Sequence, residues 1–105
     1  PLEAVVKIGD TVSDILEGCN AGMWTIGLTR SGNELGLTET QTRELAAEEL
    51  EGRLAEIRQR FTAAGADYTA EGIWAVMPLI DEIQQRLANG EKPLQSANAI
   101  TPQKR

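Results

Sequence analysis

Residues 4–28 read AVVKIGDTVSDILEGCNAGMWTIGL, and the spacing of their apolar side chains changes twice. Ala4 to Ile8 is a β-branched run broken by a single lysine, which is typical of a strand covered on both faces. From Thr11 the apolar residues recur at helical spacing until Asn20-Ala21-Gly22, which favour the end of a helix. Trp24 to Leu28 is a second apolar run. This order of strand, helix and strand with short connections predicts a βαβ unit with parallel strands.

The rest of the sequence continues to alternate helical and strand-like patterns. Thr38 and the glutamine three residues later form a capping box, which predicts a short helix with a break near Ala46-Ala47. Ala66 to Tyr68 is predicted to be a third strand, and Pro78 fits the first turn of a last helix that ends at Asn89-Gly90. The longer helix after the break presents one apolar stripe, which consists of Leu50, Leu54, Ile57 and Phe61.

This alternation predicts an α/β fold in which about three parallel strands are flanked by helices, within residues 1–90. Residues 91–105 contain two prolines and show no period, so they are predicted to be a flexible C-terminal tail. The first strand lies close to Pro1 and is apolar, and a sheet of three strands would leave its long edge exposed. We therefore expect the chain to be the C-terminal part of a larger α/β protein.

Composition and charge restrict the partners and the chemistry. The formal charge is -6, which disfavours nucleic acid as a partner, and no apolar run is long enough to span a bilayer. The chain has no histidine, so any metal ion is expected to be a hard cation bound by oxygen. A single cysteine permits no internal disulfide, and the first residues lack the pattern of a secretion signal, which predicts a cytoplasmic location.

Asp10 and Asp14 are the candidate functional residues of the opening stretch. In parallel α/β sheets, ligands bind beyond the carboxyl ends of the strands, and Asp10 stands at that end of the first strand. A carboxylate there loses solvation without gaining a capping role, which favours a functional interpretation. Asp14 is open to two interpretations, because the sequence T-x-x-D from Thr11 also forms a capping box in which Asp14 reaches back to the helix start.

The spacing of the two carboxylates allows both to point into one crevice. Two such charges about 4 Å apart repel each other by roughly 4 kcal/mol at an effective dielectric constant near 20, and a divalent cation removes that repulsion. Magnesium suits the pair, since it is commonly held by one or two carboxylates together with water and substrate phosphate. The stretch therefore predicts a magnesium site.

The segment VVKIGD (5–10), with the following TVSDILEGCNAGM and WTIGL, resembles the fourth motif of the haloacid dehalogenase superfamily, whose carboxylate pair follows the pattern GDxxxD. The continuation SGNELGLTE (31–39), and later AGADY (64–68) before a final helix that ends RLANGEKP (86–93), resembles more narrowly the phosphonoacetaldehyde hydrolases, or phosphonatases. The resemblance extends from about Leu2 to Pro93. It implies the C-terminal part of a Rossmann-like core domain of the haloacid dehalogenase type.

The resemblance implies hydrolysis of the carbon–phosphorus bond of phosphonoacetaldehyde to acetaldehyde and phosphate, with Mg²⁺ as cofactor, in the degradation of 2-aminoethylphosphonate. It also implies that Asp10 is a direct magnesium ligand and that Asp14 acts through water or hydrogen bonds, with Gly9 and Thr11 supporting the loop. The nucleophilic aspartate of the family and the Schiff-base lysine of its helical cap are expected upstream of this sequence. We therefore expect the chain alone to be inactive, and the complete protein to be a homodimer that acts on a small phosphonate.

Two other functions remain open at this point. The first is another magnesium phosphatase of the same superfamily, such as a phosphoglycolate phosphatase. The second is a non-catalytic interaction module, in which Asp10 and Asp14 are structural and the apolar stripe of the long helix docks a partner.

Several other residues have a structural interpretation that we favour. Cys19 lies on the apolar face of the first helix and is predicted to be a buried small hydrophobe, and Lys7 is predicted to be structural. Trp24 and Trp74 are predicted to pack in the core or at its rim. The turn Ser31-Gly32-Asn33 follows a strand end on the same side as the two carboxylates, so it either borders the site or forms a plain turn.

Overall fold

The computed structural model describes residues 1–31 and 33–94 of the 105-residue chain. It contains three strands and four α-helices within those residues. None of the described helices is both long enough and apolar enough to cross a membrane. The elements, in chain order, are β1 (Val6–Gly9), α1 (Val12–Ala21), β2 (Trp24–Leu28), α2 (Glu39–Glu44), α3 (Ala47–Ala64), β3 (Tyr68–Ala70) and α4 (Val76–Ala88), with short 3-10 helices at Leu2–Ala4 and Ile73–Ala75.

The three strands are parallel and lie in the order β1-β2-β3. Val6 of β1 pairs with Trp24 of β2, and Ile26 of β2 pairs with Tyr68 of β3. The predicted fold class, a three-stranded parallel sheet flanked by helices, is confirmed. The carboxyl ends of all three strands therefore lie at the same end of the sheet, where ligands of such sheets bind.

The first four residues of the central strand β2 are all buried. Since successive side chains of a strand point to opposite sides, both faces of β2 are covered. On one face, α3 approaches Gly27 so closely that a Cβ there would lie 2.6 Å from the ring of Phe61. On the other face, Trp24 and Ile26 pack with α4. Two core clusters result, with Ile15, Cys19, Leu54, Ile57 and Phe61 in the first and Trp24, Ile26, Val76 and Ile83 in the second.

The first strand is shorter than the sequence predicts. β1 begins at Val6, whereas the predicted strand begins at Ala4. The N–H groups of Ala4 and Val5 donate to the carbonyl oxygens of Pro1 and Leu2, each at 3.0 Å, in a 3-10 turn. These bonds hold the chain in a turn, so strand pairing starts only after it.

The third strand lies two residues later than predicted. β3 covers Tyr68–Ala70, whereas the predicted strand starts at Ala66. The N–H of Ala66 donates to the carbonyl oxygen of Phe61 at 3.0 Å and thereby closes α3. The Asp67 N–H already donates to the carbonyl oxygen of Thr25 at 3.1 Å, but the Thr25 N–H donates in return to the Asp67 carboxylate at 2.9 Å and not to a backbone carbonyl, so regular pairing starts one residue later.

The helix boundaries agree with the local signals in the sequence. The hydroxyl of Thr38 accepts the N–H of Gln41 at 3.0 Å, and the Gln41 side chain accepts the N–H of Thr38 at 2.9 Å, which is the predicted capping box. The predicted break between α2 and α3 falls at Ala46, the N-cap of α3. Gly65 ends α3 with φ 106°, and Pro78 lies in the first turn of α4.

The residues directly after α4 pack against the domain, although the sequence predicts a flexible tail from residue 91. Pro93 is fully buried, and the N–H of Leu94 donates to Oδ1 of Asp67 at 2.7 Å. Nε of Arg86 donates to Oε1 of Glu91 at 3.0 Å. Residues 91–94 are therefore part of the folded unit, and the rest of the predicted tail, residues 95–105, lies outside the described residues.

Strand β1 forms one edge of the sheet. In the part of the chain that the structure describes, it pairs with β2 only. Val5, directly before this strand, exposes 41% of its surface, and Ile8, within it, exposes 37%. Folded proteins normally cover an apolar edge strand, because its unpaired backbone groups invite association.

Candidate functional site

The candidate site lies at the carboxyl end of β1, where the chain turns into α1. Asp10 directly follows the strand, and Thr11 is the N-cap of the helix with extended backbone angles of φ -134° and ψ 159°. Asp14 lies in the first turn of α1. The structure therefore places one carboxylate at the strand end and the other on the first helical turn, as the sequence predicts.

Hydrogen bonds within the loop hold Asp14 in place. Oδ2 of Asp14 accepts the N–H of Asp10 at 3.2 Å, and the N–H of Asp14 donates to Oγ1 of Thr11 at the same distance. The Thr11 half of the predicted capping box is confirmed, whereas the Asp14 carboxylate bonds to Asp10, one residue before the N-cap. The Thr11 hydroxyl lowers the pKa of Asp14 and, with the N–H groups of Asp10 and Thr11, outweighs the effect of burial. Asp14 is therefore ionised at neutral pH.

The carboxylate of Asp10 is available to a ligand. Asp10 is half-buried, and in the hydrogen bonds of the described residues it takes part through its backbone N–H alone. Within that part of the chain every fully buried polar side-chain atom has a partner, so the oxygens of Asp10 reach solvent. Oδ2 of Asp14 lies 3.2 Å from the backbone N of Asp10, so the two acidic residues are in direct contact.

Gly9 allows α1 to approach the end of β1. A Cβ built on Gly9 would overlap the Cβ of Asp14 and lie 3.2 Å from its Cγ. A larger residue at this position would therefore displace Asp14 from the N–H of Asp10. The glycine before the first aspartate is thus required by the close approach of the two elements.

The donors of this loop suit a hard cation. Across the described residues no group of three or more His, Cys, Asp or Glu side chains is placed to hold a metal ion, so the two aspartates form a pair and not a complete cage. Mg²⁺ is commonly bound by one or two carboxylates, with water and substrate phosphate at its other positions. The oxygen donors of the pair fit this kind of ion, and the Asp10 carboxylate is the one that has no hydrogen-bond donor among the described residues.

A second concave region lies where β2 and β3 end. The N–H groups of Arg30 and Ser31 both donate to the carbonyl oxygen of Glu71 at 3.0 Å, so the two chain segments run side by side. Of the predicted turn residues, Ser31 lines this region, Asn33 is exposed and Gly32 lies outside the described residues. The cavity has a volume of about 290 Å³ and is lined by Arg30, Ser31, Leu37, Glu39, Thr42 and Trp74, without either aspartate of the loop.

Trp74 is exposed, although the sequence predicts packing in the core or at its rim. Its exposed fraction is 66%, and its ring lies against Gly72, where it fills the space that a Cβ would need. Trp24 is fully buried as predicted, with Nε1 donating to the carbonyl oxygen of Glu3 at 2.8 Å. Trp74 belongs to a 3-10 helix before α4, so it does not continue the apolar face of that helix. The sequence did not identify Trp74 and Arg30 as cavity residues. The available signal was that both follow soon after the carboxyl end of a predicted strand, where ligands of parallel sheets bind.

Two further residues that the sequence analysis considered, Cys19 and Lys7, lie away from the candidate site. Cys19 is buried and its Sγ donates to the carbonyl oxygen of Gly65 at 3.3 Å. Burial raises the pKa of this thiol, and the Asp67 carboxylate adds to the effect. Nζ of Lys7 pairs with Glu17 of α1 at 3.3 Å, along the helix and away from the loop. Neither side chain contributes to the candidate site.

Comparisons with known proteins show relatives for most of the chain. No protein-family model matches it. A protein named phosphonoacetaldehyde hydrolase from Syntrophobacter fumaroxidans is 56% identical over 93 residues, which are 89% of this chain and 34% of that protein. A protein of the same name from Nitratidesulfovibrio vulgaris is 42% identical over 93 residues, or 33% of its length. The chain therefore spans about a third of the length of the curated relatives that it matches.

Solved structures share the fold. The crystal structure of a phosphonoacetaldehyde hydrolase-like protein from Oleispira antarctica superposes with a TM-score of 0.85 and 36% sequence identity, covering 89% of this chain and 34% of that one. A second solved chain superposes with a TM-score of 0.83 and 31% identity. These similarities agree with the predicted fold class and with the family that the sequence resembles.

Proposed function

Since this chain is a homologue of phosphonoacetaldehyde hydrolases over 89% of its length, we propose that it forms the magnesium-binding C-terminal part of such an enzyme. The complete protein hydrolyses phosphonoacetaldehyde to acetaldehyde and phosphate, a step in the degradation of 2-aminoethylphosphonate. The carbon–phosphorus bond breaks, water supplies the oxygen that joins phosphorus, and the carbon takes up a proton.

The observation that carries the proposal is the 56% identity with a relative of that name over 93 residues. The geometry of the loop supports it independently. Asp10 lies at the carboxyl end of a parallel strand, which is where such sheets bind ligands, and its carboxylate is not engaged by a donor from the described residues.

Each residue of the loop has a role in this proposal. Asp10 binds Mg²⁺ directly. Asp14 holds the backbone of Asp10 and adds negative charge near the ion without coordinating it. Thr11 fixes Asp14 through the hydrogen bond to the Asp14 N–H, and Gly9 leaves room for both. Bound Mg²⁺ supplies positive charge that allows an anionic phosphonate to approach carboxylates.

The remaining catalytic groups are proposed to lie outside this chain, in the part of the relatives that it does not span. They are the nucleophilic aspartate and the lysine that forms a Schiff base with the aldehyde and gives the leaving carbon an electron sink. The open edge of β1, with Val5 and Ile8 exposed, offers a position for a further strand. The 105-residue chain alone is expected to release no phosphate. A cytoplasmic, homodimeric enzyme is part of the same proposal.

The two alternative functions differ in their support. A phosphatase of the same superfamily, such as a phosphoglycolate phosphatase, would use the same loop and differ in its substrate. The interaction module required the apolar stripe of α3 to be free for a partner. Leu54, Ile57 and Phe61 of that stripe are instead buried in the chain's own core, which removes the proposed docking surface.

Product analysis on the complete protein tests the proposal. With phosphonoacetaldehyde and Mg²⁺ we expect acetaldehyde and phosphate in equal amounts, and no release after Mg²⁺ is removed with a chelator. Phosphate release from phosphoglycolate, without acetaldehyde from phosphonoacetaldehyde, would instead identify the related phosphatase. No Mg²⁺-dependent release from either compound would contradict an enzymatic function.

A further inference from the structure

Glu34 connects the loop after β2 to the start of α1. Its Oε2 accepts the N–H of Val12 at 3.0 Å, although the two residues are 22 positions apart. Its Oε1 lies 3.4 Å from Nη1 of Arg60 on α3. The Glu34 side chain is only 19% exposed, and each of its two oxygens contacts one of these partners.

The bond to Val12 has a particular place in the helix. Val12 is the first residue of α1, and the first N–H groups of a helix have no partner within it. Thr11 accepts the N–H of Asp14. Glu34 accepts the N–H of Val12, so a residue from outside the loop fixes the backbone between Asp10 and Asp14. A negative charge at this end of the helix is also favoured by the helix dipole.

We propose that Glu34 is a positioning residue that holds the Asp10–Asp14 loop in the geometry that binds the divalent cation. This inference rests on the proposed magnesium site. Arg60 engages one oxygen of Glu34 and leaves the other for Val12. Glu34 acts through the backbone and not as a metal ligand, because the described residues contain no group of three carboxylates placed around a metal and both of its oxygens have partners.

Cation binding by the complete protein, without substrate, tests the proposal. Isothermal titration with Mg²⁺ would compare wild-type protein with Glu34→Ala, Glu34→Gln and the matched control Glu49→Ala, which removes an exposed glutamate–arginine pair within α3. Loss of a residue that orients metal ligands typically weakens binding about 10- to 100-fold, and we expect about 10-fold for Glu34→Ala. Glu34→Gln keeps an acceptor for Val12 and should restore most of the affinity, while Glu49→Ala should have no effect.

A change of less than about five-fold in Glu34→Ala, below the range typical of such residues, would overturn the proposal, as would an equal loss in Glu49→Ala. Asp10→Ala separates this inference from the proposed function. If Asp10→Ala abolishes Mg²⁺ binding and Glu34→Ala leaves it intact, only the role of Glu34 fails. If Asp10→Ala leaves binding intact, the magnesium site itself is wrong and the role of Glu34 fails with it.

Amide hydrogen exchange of the wild-type protein without metal provides a second test that does not depend on a variant folding. The N–H of Ser13, next in the helix, has no acceptor among the described hydrogen bonds, so it serves as the internal control. We expect Val12 to exchange at least about 10-fold more slowly than Ser13 after correction for intrinsic rates, since only Val12 has an acceptor. Equal exchange of the two amides would overturn the proposal.

Discussion

The backbone N–H of Asp10 donates to Oδ2 of Asp14 at 3.2 Å. The two carboxylates of the loop therefore differ in their hydrogen bonds. Asp14 uses an oxygen to fix the backbone of Asp10, while the Asp10 carboxylate is left open to solvent and to a ligand. Substitutions at the two positions should therefore separate metal binding from stability.

Asp10→Ala in the complete protein should remove magnesium-dependent activity and leave the metal-free fold intact. Because no described group donates to the Asp10 carboxylate, the free energy of unfolding without metal should change by less than about 0.5 kcal/mol. A cation that binds the native state raises the melting temperature, and the variant should lose that increase. Phosphate-release assays and thermal melts with and without Mg²⁺ measure both effects. Near-normal turnover would contradict the enzymatic function.

Asp14→Asn should affect both stability and metal binding. The amide keeps one acceptor oxygen but loses the charge that the Thr11 hydroxyl and the N–H of Asp10 stabilise. We expect a loss of about 1 kcal/mol in the free energy of unfolding without metal. Magnesium affinity should fall about 10-fold, which is less than for Asp10→Ala. Urea denaturation and Mg²⁺ titration give the two values, and unchanged stability would show that Asp14 does not hold the loop.

Gly9→Ala should destabilise the protein and lower its activity. The added methyl group overlaps the Asp14 side chain, and such overpacking costs about 1–3 kcal/mol. Gly52→Ala is the matched control, because a Cβ at that exposed position of α3 meets no atom within 4 Å. This control should gain up to about 1 kcal/mol, since alanine is the better helix former. Urea denaturation of both variants measures the difference, and equal stability would refute the close-approach role of Gly9.

Cys19 should be unreactive toward thiol reagents in the native protein. Burial raises the pKa of its thiol, so the reactive thiolate is scarce, and the sulfur is hydrogen-bonded to Gly65. We expect the rate of modification by Ellman's reagent at pH 8 to be at least about 100-fold lower than in urea-unfolded protein. A rapid native reaction would indicate that α1 opens readily from α3.

The helix boundaries were predictable because their signals are local. The Thr38–Gln41 capping box and the glycine that ends α3 depend on residues only a few positions apart. The strand boundaries were not predictable. β3 begins at Tyr68, directly after Asp67, whose side chain accepts the N–H of Thr25 in another strand, and the sequence near Asp67 does not reveal that contact. The exposure of Trp74 was missed for a related reason: its position follows from a 3-10 turn against Gly72.

The sequence by itself determined the parallel α/β class, the position of Asp10 and Asp14 at the end of the first strand, and the resemblance to phosphonatases. These follow from apolar periodicity and from a short motif, which are properties of neighbouring residues. Only the tertiary structure decided that Glu34 reaches Val12 across 22 residues and that Pro93 is buried. The reason is that these contacts depend on how helices and loops pack on the sheet, and a linear pattern does not contain those distances.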